Sequence, residues 1–202
     1  MGDLVSSAYD LEIKAPQGFT IGVLSDTHVP DRRRQLDPRI IKCFQSASVE
    51  LILHAGDIST QAVLDQLEAI APVRAARGNR DWMMLSHLPP ALTIDVNGAQ
   101  LALVHGHGSL INYIMDRLQY YLHGYRIERY LPRLLAGFPN SQAIIFGHIH
   151  RPFNQMMNGQ LLFNPGSAHV PDPPYKPSVG IVKISPNGEI QARIIQLDDI
   201  PA

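Results

Sequence analysis

The sequence predicts an α/β fold: two packed β-sheets flanked by helices, an αββα sandwich. Three observations predict it. The first half alternates short strand-like runs with segments of helical spacing. The second half carries hairpin signals, with Asn97-Gly98, Asn158-Gly159 and Asn187-Gly188 each set between apolar runs. Short polar clusters follow the predicted strands in order, and strand ends are where open α/β sheets bind ligands.

Residues 1–18 read as an N-terminal extension and residues 19–202 as a single domain. Phe19 to Ser25 reads as a strand buried on both faces. Arg39 to Ser46 predicts a helix following Pro38. Glu50 to His54 is a second strand. Thr60 to Ile70 places Val63, Leu64, Leu67 and Ile70 at helical spacing, with Ser59 or Thr60 as its cap. Val73 to Ala76 is a third strand. Thr93–Val96 and Gln100–Val104 form one hairpin, Phe153–Met157 and Gln160–Phe163 a second, and Val179–Ile184 and Glu189–Leu197 a third. Ala143 to Phe146 is a further strand. Between Ser109 and Gly137, Ile111, Ile114, Leu118, Tyr121, Leu122 and Tyr125 mark one helical stripe, which Gly124 interrupts and Pro132 restarts. The stripe either faces the core, leaving a solvated basic face, or forms a lid or subunit contact over a site.

Length and an apolar fraction of 45% suit one packed domain. The net charge of −1 supplies no global field for nucleic acid or an anionic membrane. Cys43 is the only cysteine, so no intrachain disulfide forms, and a reducing cytoplasm is the simplest compartment. No apolar run is long enough to cross a bilayer. Met1-Gly2-Asp3-Leu4-Val5-Ser6 fits the loose pattern for acylation at Gly2, against the plainer reading of an unstructured start.

Five polar clusters follow strands: Asp26-Thr27-His28, Gly56-Asp57, Gly78-Asn79, His105-Gly106-His107 and Gly147-His148-Ile149-His150. Carboxylate, imidazole and amide groups without cysteine are the ligand chemistry of hard-to-borderline divalent metals. Each cluster alone is weak, but five in this order resemble the calcineurin-like metallophosphoesterase superfamily. Its ordered blocks are D-x-H, G-D, G-N-x-D/E, a histidine block and G-H-x-H. The resemblance spans roughly Thr20 to Ser167. It is closest to the small, compact phosphodiesterase branch, to which the retromer cargo subunit is also similar. Asn164-Pro165-Gly166-Ser167 matches the N-P-G-S that often follows in that branch.

The resemblance implies two divalent metal ions. One would bind Asp26, His28, Asp57 and His150; the other would bind Asp57, Asn79, His105 and His148, with Asp57 bridging. Cations about 3.5–4 Å apart repel, and a shared carboxylate plus a bridging hydroxide screens them. The two ions still outweigh Asp26, Asp57 and one hydroxide, so the site stays positive and attracts phosphate. The imidazoles and amide favour Mn, Fe, Zn, Ni or Co over Mg. Hydrolysis of a phosphodiester by attack of the metal-bridging hydroxide follows from the resemblance. A phosphomonoesterase, a nuclease and a protein-binding scaffold of the retromer-subunit type are the alternatives.

One position departs from the larger relatives. Where they carry G-N-H-D/E with a proton-donating histidine, this chain has Gly78-Asn79-Arg80-Asp81. Arginine is no acid near neutral pH but can hold a phosphate oxygen, while the plain alternative is a salt bridge to Asp81. His107 is the candidate acid, with a metal-ordered water as the rival. Asn79 and Asn164 are candidates for substrate binding, although a turn set by Pro165-Gly166 explains Asn164 and Ser167 equally well. His54 reads as a supporting or packing residue. His87, His123 and His169 read as ordinary surface or loop histidines. The aromatic, basic run around Tyr120 to Arg133 leaves nucleic acid open, and the Ser109–Gly137 segment leaves a homodimer open.

Overall fold

A computed structural model describes residues 9–201, apart from residues 33, 125 and 170. The acylation pattern at Met1–Ser6 and the stripe's Tyr125 lie outside the described residues. The parallel half forms as its alternation requires. Strands β2 (Phe19–Leu24), β3 (Leu51–His54) and β4 (Val73–Ala75) run parallel, joined by α1 (Pro38–Ser46) and α2 (Gln61–Glu68). Pro38 opens α1, and the Asp37 carboxyl accepts from the Arg39 backbone N–H at 3.0 Å. Thr60 occupies the cap position of α2, yet its side chain makes no capping bond. Ser59, the other expected cap, donates to Asp31 instead at 3.2 Å.

All three Asn-Gly pairs lie in hairpin turns. They join β5 (Ala91–Val96) to β6 (Ala99–Val104), β8 (Pro152–Met157) to β9 (Gln160–Pro165), and β10 (Ser178–Ile184) to β11 (Ile190–Gln196). Positive φ at both Asn97 and Gly98, and at both Asn158 and Gly159, is the twist that a two-residue hairpin needs. The remaining strands are β1 (Tyr9–Ile13) and β7 (Ala143–Phe146). One sheet runs β1-β5-β6-β7-β9-β8 and the other β11-β10-β2-β3-β4. The extension ahead of residue 19 therefore contributes a strand. β1 pairs parallel with β5, and Leu11 and Ile13 pack against the core between the sheets.

Alternation sorts side chains into layers. Ile21, Val23, Leu51 and Leu53 meet Leu101, Leu103 and Ile145 between the sheets. The other face of β3 sends Ile52 toward Ile40, Phe44 and Leu67 of α1 and α2. On the far side, Ala102, Val104, Ile144 and Phe146 pack on Leu131 and Leu134 of α4 (Leu131–Gly137). Three apolar clusters separate four layers, the expected αββα order. Pro132 sits in the first turn of α4, as its rigid φ favours.

Helix α3 (Leu110–His123) corrects one expectation. Ser109 caps it by accepting from Asn112 N–H at 3.3 Å, and Gly124 ends it. Its apolar stripe does not face the core: Ile111 is 73% exposed, Leu118 50% and Leu122 63%. Periodicity identifies the helix but not what covers it. Among the described residues, no helix is long and apolar enough to cross a membrane.

Candidate metal centre

The parallel strands β2, β3 and β4 end at one edge of their sheet, and the parallel β6 and β7 end at the matching edge of the other. The five polar clusters leave from these ends. Backbone hydrogen bonds stitch them together: Asp26 N–H to Gly56 O at 3.0 Å, His28 N–H to Asp57 O at 3.1 Å, and Gly147 N–H to His105 O at 3.1 Å. The His105 ring reaches across the sheets, with Nδ1 at 2.7 Å from Ala55 O. That carbonyl fixes Nδ1–H and leaves Nε2 with its lone pair.

Two groups of donors result. Asp26, His28 and His150 converge in one, and Asp26, Asp57 and His105 in the other. His28 Nε2 faces His150 Nε2 at 3.1 Å, and His150 Nε2 lies 3.2 Å from Asp26 Oδ1. Asn79 Oδ1 stands between His105 Nε2 at 3.1 Å and His148 Nδ1 at 3.2 Å. Asp57 touches both halves, with Oδ1 at 3.5 Å from His105 Nε2 and Oδ2 at 3.9 Å from His28 Nε2. All seven donors expected from the sequence thus surround one spot. Asp26 Oδ1 is buried, and among the described residues only the His150 ring nitrogen, at 3.2 Å, approaches it closely, which leaves it short of partners for a buried carboxylate oxygen. Lone pairs converging on shared points, with one such oxygen among them, fit a divalent-metal centre.

The backbone is strained where ligands attach. Asp26, His28, Asp57, His148 and His150 all hold positive φ, between 50° and 72°. Each such residue costs about 1–3 kcal/mol and persists only where the surroundings enforce it. Enforcement comes from buried polar groups. Ser25 Oγ donates to Asp26 Oδ2 at 2.6 Å, and His148 N–H donates to the same oxygen at 3.1 Å. Asp81 Oδ2 accepts from Asp57 N–H (3.0 Å) and Gly78 N–H (2.8 Å). Its Oδ1 accepts from Ile58 N–H and Ser59 N–H, both at 2.9 Å. A Cβ on Gly78 would collide with the Asp57 backbone nitrogen, and one on Gly147 with Ser25 Oγ, so glycine is required where these loops cross.

Asn164 and Ser167 serve the same purpose. Asn164 is fully buried; its Nδ2 donates to Gly147 O at 2.8 Å and its Oδ1 accepts from Gly166 N–H at 2.9 Å. Ser167 Oγ donates to Asp26 O at 2.9 Å. Both underpin ligand loops. His54 is buried and its Nε2 lies 3.1 Å from Thr27 Oγ1, between the first and second ligand loops. His169 differs from the loop histidine expected: it is buried, and its Nε2 accepts from Asp37 N–H at 3.2 Å. His87 and His123 are exposed. The Asp81 role was the least visible in sequence; its only signal is the aspartate closing Gly78-Asn79-Arg80-Asp81.

Electrostatics follow from burial. Desolvation pushes His28 and His107 down to about 3 and His54 down to about 4. It takes His148 well below the ordinary imidazole value. These rings are neutral near pH 7, the form that binds metal. The two carboxyls diverge. Burial raises Asp57, while for Asp26 the same burial is outweighed by the adjacent His150, His105 and His28 rings, which hold it below the ordinary carboxylate range.

The centre opens into a cleft of about 280 Å³, lined by His28, Asp57, Asn79 and His148 at its base and by tyrosines and arginines at its rim. Arg80 is on this rim. Its guanidinium pairs with Asp31 at 3.6 Å and lies 4.0 Å from Asp57, and Asp81 is spent on backbone amides instead. His107 lies beside the centre, its ring 5.4 Å from that of His105 and 6.1 Å from that of His148, and it does not line the cleft.

Comparison with known proteins agrees with this geometry. Residues 19–187 match the calcineurin-like phosphoesterase superfamily domain. A probable metallophosphoesterase of Methanocaldococcus jannaschii is 32% identical over 89% of this chain and 82% of its own length. One from Methanothermobacter thermautotrophicus is 34% identical over 87% of this chain and 91% of its own. A protein named as a phosphodiesterase of Methanocaldococcus jannaschii is 27% identical over 72% of this chain and 82% of its own. In fold, the chain is similar to vacuolar protein sorting 29 of Cryptosporidium parvum. That likeness has a TM-score of 0.63 at 15% identity, covering 89% of this chain and 97% of that one. With the family domain spanning most of the chain and two relatives above 30% identity, the chain belongs to the calcineurin-like phosphoesterase superfamily.

Proposed function

We propose that this chain is a phosphodiesterase working with two divalent cations, manganese foremost, with Ni, Co, Fe or Zn as substitutes. Asp26, His28, Asp57 and His150 would hold one; Asp57, Asn79, His105 and His148 would hold the other. The observation that carries this reading is Asp57, which offers one oxygen toward each half of the donor set. When bound, the cations supply Lewis acidity at the phosphate oxygens and draw a nucleophile from water near neutral pH.

The chain's own part is to position and to balance charge. Neutral imidazoles and one amide add donors without adding charge, so two carboxylates leave a positive centre for an anionic ester. Arg80, at the rim, holds a non-bridging phosphate oxygen. His107 is neutral near pH 7 and off the cleft, so we give it no part in protonating the leaving oxygen; solvent in the open cleft does that. Space continues on both sides of His148 and His150. Beyond the first cleft, a second cavity of about 400 Å³ runs along Pro171, Asp172 and Pro173. Two arms suit a diester better than a monoester. The lone buried thiol of Cys43 suits a reducing cytoplasm.

The manganese-loaded protein should hydrolyse bis(p-nitrophenyl) phosphate at least about tenfold better, in kcat/KM, than p-nitrophenyl phosphate. Preference for the monoester would make it a phosphatase. No turnover of either with any of the five metals would favour a second reading, protein docking, for which the outward apolar face of α3 is the supporting observation.

A further inference from the structure

The proposed function leaves the aromatic rim of the cleft unexplained. Helix α3 has two unlike faces. One is the exposed apolar stripe; the other turns Tyr113, Arg117 and Tyr120 into the cleft, and Tyr121, on the border between them, lines the cleft as well. Tyr121 is 70% exposed and Tyr120 47% exposed, so large ring surfaces stand open to solvent beside a phosphate site. They are held in place. Arg117 donates to Tyr113 Oη and to Tyr121 Oη, both at 3.3 Å, and its guanidinium carbon lies 5.8 Å from the Tyr121 ring centre. A ring fixed in this way loses little further freedom when a planar group stacks on it. The aromatic surface also reaches the centre itself. The Tyr113 ring lies 6.0 Å, and the Tyr130 ring 5.9 Å, from that of the ligand His148.

We infer that this wall selects phosphodiesters bearing a nucleobase, of mononucleotide size, with the phosphate on the centre and the base stacked on the α3 tyrosines. The inference rests on the phosphodiesterase reading and narrows its substrate class. Size and charge favour a small nucleotide ester over a polymer. The cleft of about 280 Å³ and the adjoining cavity of about 400 Å³ together fall within the range of small-molecule sites. Acids share its walls with the cations: Asp31 lies 3.6 Å from Arg80, Asp116 lines the cleft beside Arg117, and Asp172 lines the adjoining cavity.

The test compares two esters with the same leaving group: thymidine 5′-(p-nitrophenyl) phosphate and ethyl p-nitrophenyl phosphate. Chemistry at phosphorus is matched, so their kcat/KM ratio reads the nucleoside contact, and the part of it lost in Tyr121→Ala is the share of the stacked base. Stacking on fixed aromatics predicts a ratio of about 10–100 in favour of the thymidine ester. Tyr121→Ala should pull the ratio toward one, and Tyr121→Phe should keep it. Tyr121 is 70% exposed, so neither substitution should disturb folding, and a thermal melt of each variant checks it. Equilibrium dialysis of thymidine 5′-phosphate against ethyl phosphate reads the same preference without turnover. A wild-type ratio near one, with both esters hydrolysed, overturns the inference and leaves the phosphodiesterase reading standing. Absence of turnover with preferential binding of thymidine 5′-phosphate sinks the phosphodiesterase reading but retains the base contact. Absence of both sinks the two together. A single-stranded oligonucleotide cleaved tenfold faster than the thymidine ester, with steep salt dependence, would replace the inference with a nuclease.

Discussion

Replacing Asp81 by asparagine, a nearly isosteric change, should be severe, and the hydrogen bonds say why. Each carboxyl oxygen of Asp81 accepts two backbone N–H groups: Oδ2 from Asp57 and Gly78, Oδ1 from Ile58 and Ser59. An asparagine has one oxygen and one NH₂ group. Whichever way it flips, two buried N–H donors face a third donor. Two bonds are lost, at about 1.5–3 kcal/mol each for bonds to a charged acceptor, or roughly 3–6 kcal/mol in all. For a chain of this length that lowers the melting temperature by at least about 6 °C. The loss also releases backbone that the carboxyl holds at positive φ, 55° at Asp57 and 79° at Ser59. Relaxation there moves Asp57 and the adjoining Asn79, and affinity for manganese should fall about 10–100-fold. Asp81→Ala should cost less than twice as much as Asp81→Asn, because the space it opens admits water to the freed donors. Thermal unfolding and manganese titration of both variants are the assays. An Asp81→Asn protein within about 1 kcal/mol of the parent, binding manganese normally, would refute the reasoning.

Three further outcomes are expected. His105→Ala should lose one metal equivalent and nearly all turnover, whereas His107→Ala should keep both and lose less than about tenfold in rate; elemental analysis paired with kinetics distinguishes them, and a larger rate loss in His107→Ala with both metals bound would restore it as the acid. Arg80→Ala should keep its metal content and raise KM for diesters, and parent rates should fall as the leaving-group pKa rises; equal rates across leaving groups, with chemistry limiting, would count against unassisted departure. Metal-free protein should lose stability as pH falls below about 6.5. There the unfolded chain binds protons at His28, His54 and His107, while the folded chain resists them until about 3 to 4. With more protons bound when unfolded, stability rises with pH across that window, by up to about 1.4 kcal/mol per pH unit for each ring. Denaturant melts of chelated protein at several pH values would show it, and a flat profile would mean the rings charge freely in the fold.

Much of this was legible because chemistry and topology repeat each other along the chain. Each polar cluster directly follows an apolar run, so finding the strand finds the candidate donors, and three Asn-Gly pairs mark the hairpins. What stayed hidden depends on contacts between distant segments. In sequence Asp81 reads as a partner for Arg80, Asn164 as a substrate-binding or turn residue and Ser25 as a strand end; only the fold brings them under the loops at Asp57, Gly147 and Asp26. The α3 stripe has the spacing of a core helix, yet periodicity carries no information about what lies opposite. Strand β1 was missed because a five-residue edge strand with two packed apolar residues gives too short a signal.

If Asp57 bridges two cations among the seven donors, metal content and hydrolysis must rise together. The most direct measurement is metal stoichiometry by elemental analysis, taken alongside turnover of bis(p-nitrophenyl) phosphate as chelated protein is titrated with manganese. Turnover should be absent without metal and complete at two manganese ions per chain, and Asp57→Ala should reach neither. Full activity in the metal-free protein, or an Asp57→Ala variant that binds two ions and turns over normally, would contradict it.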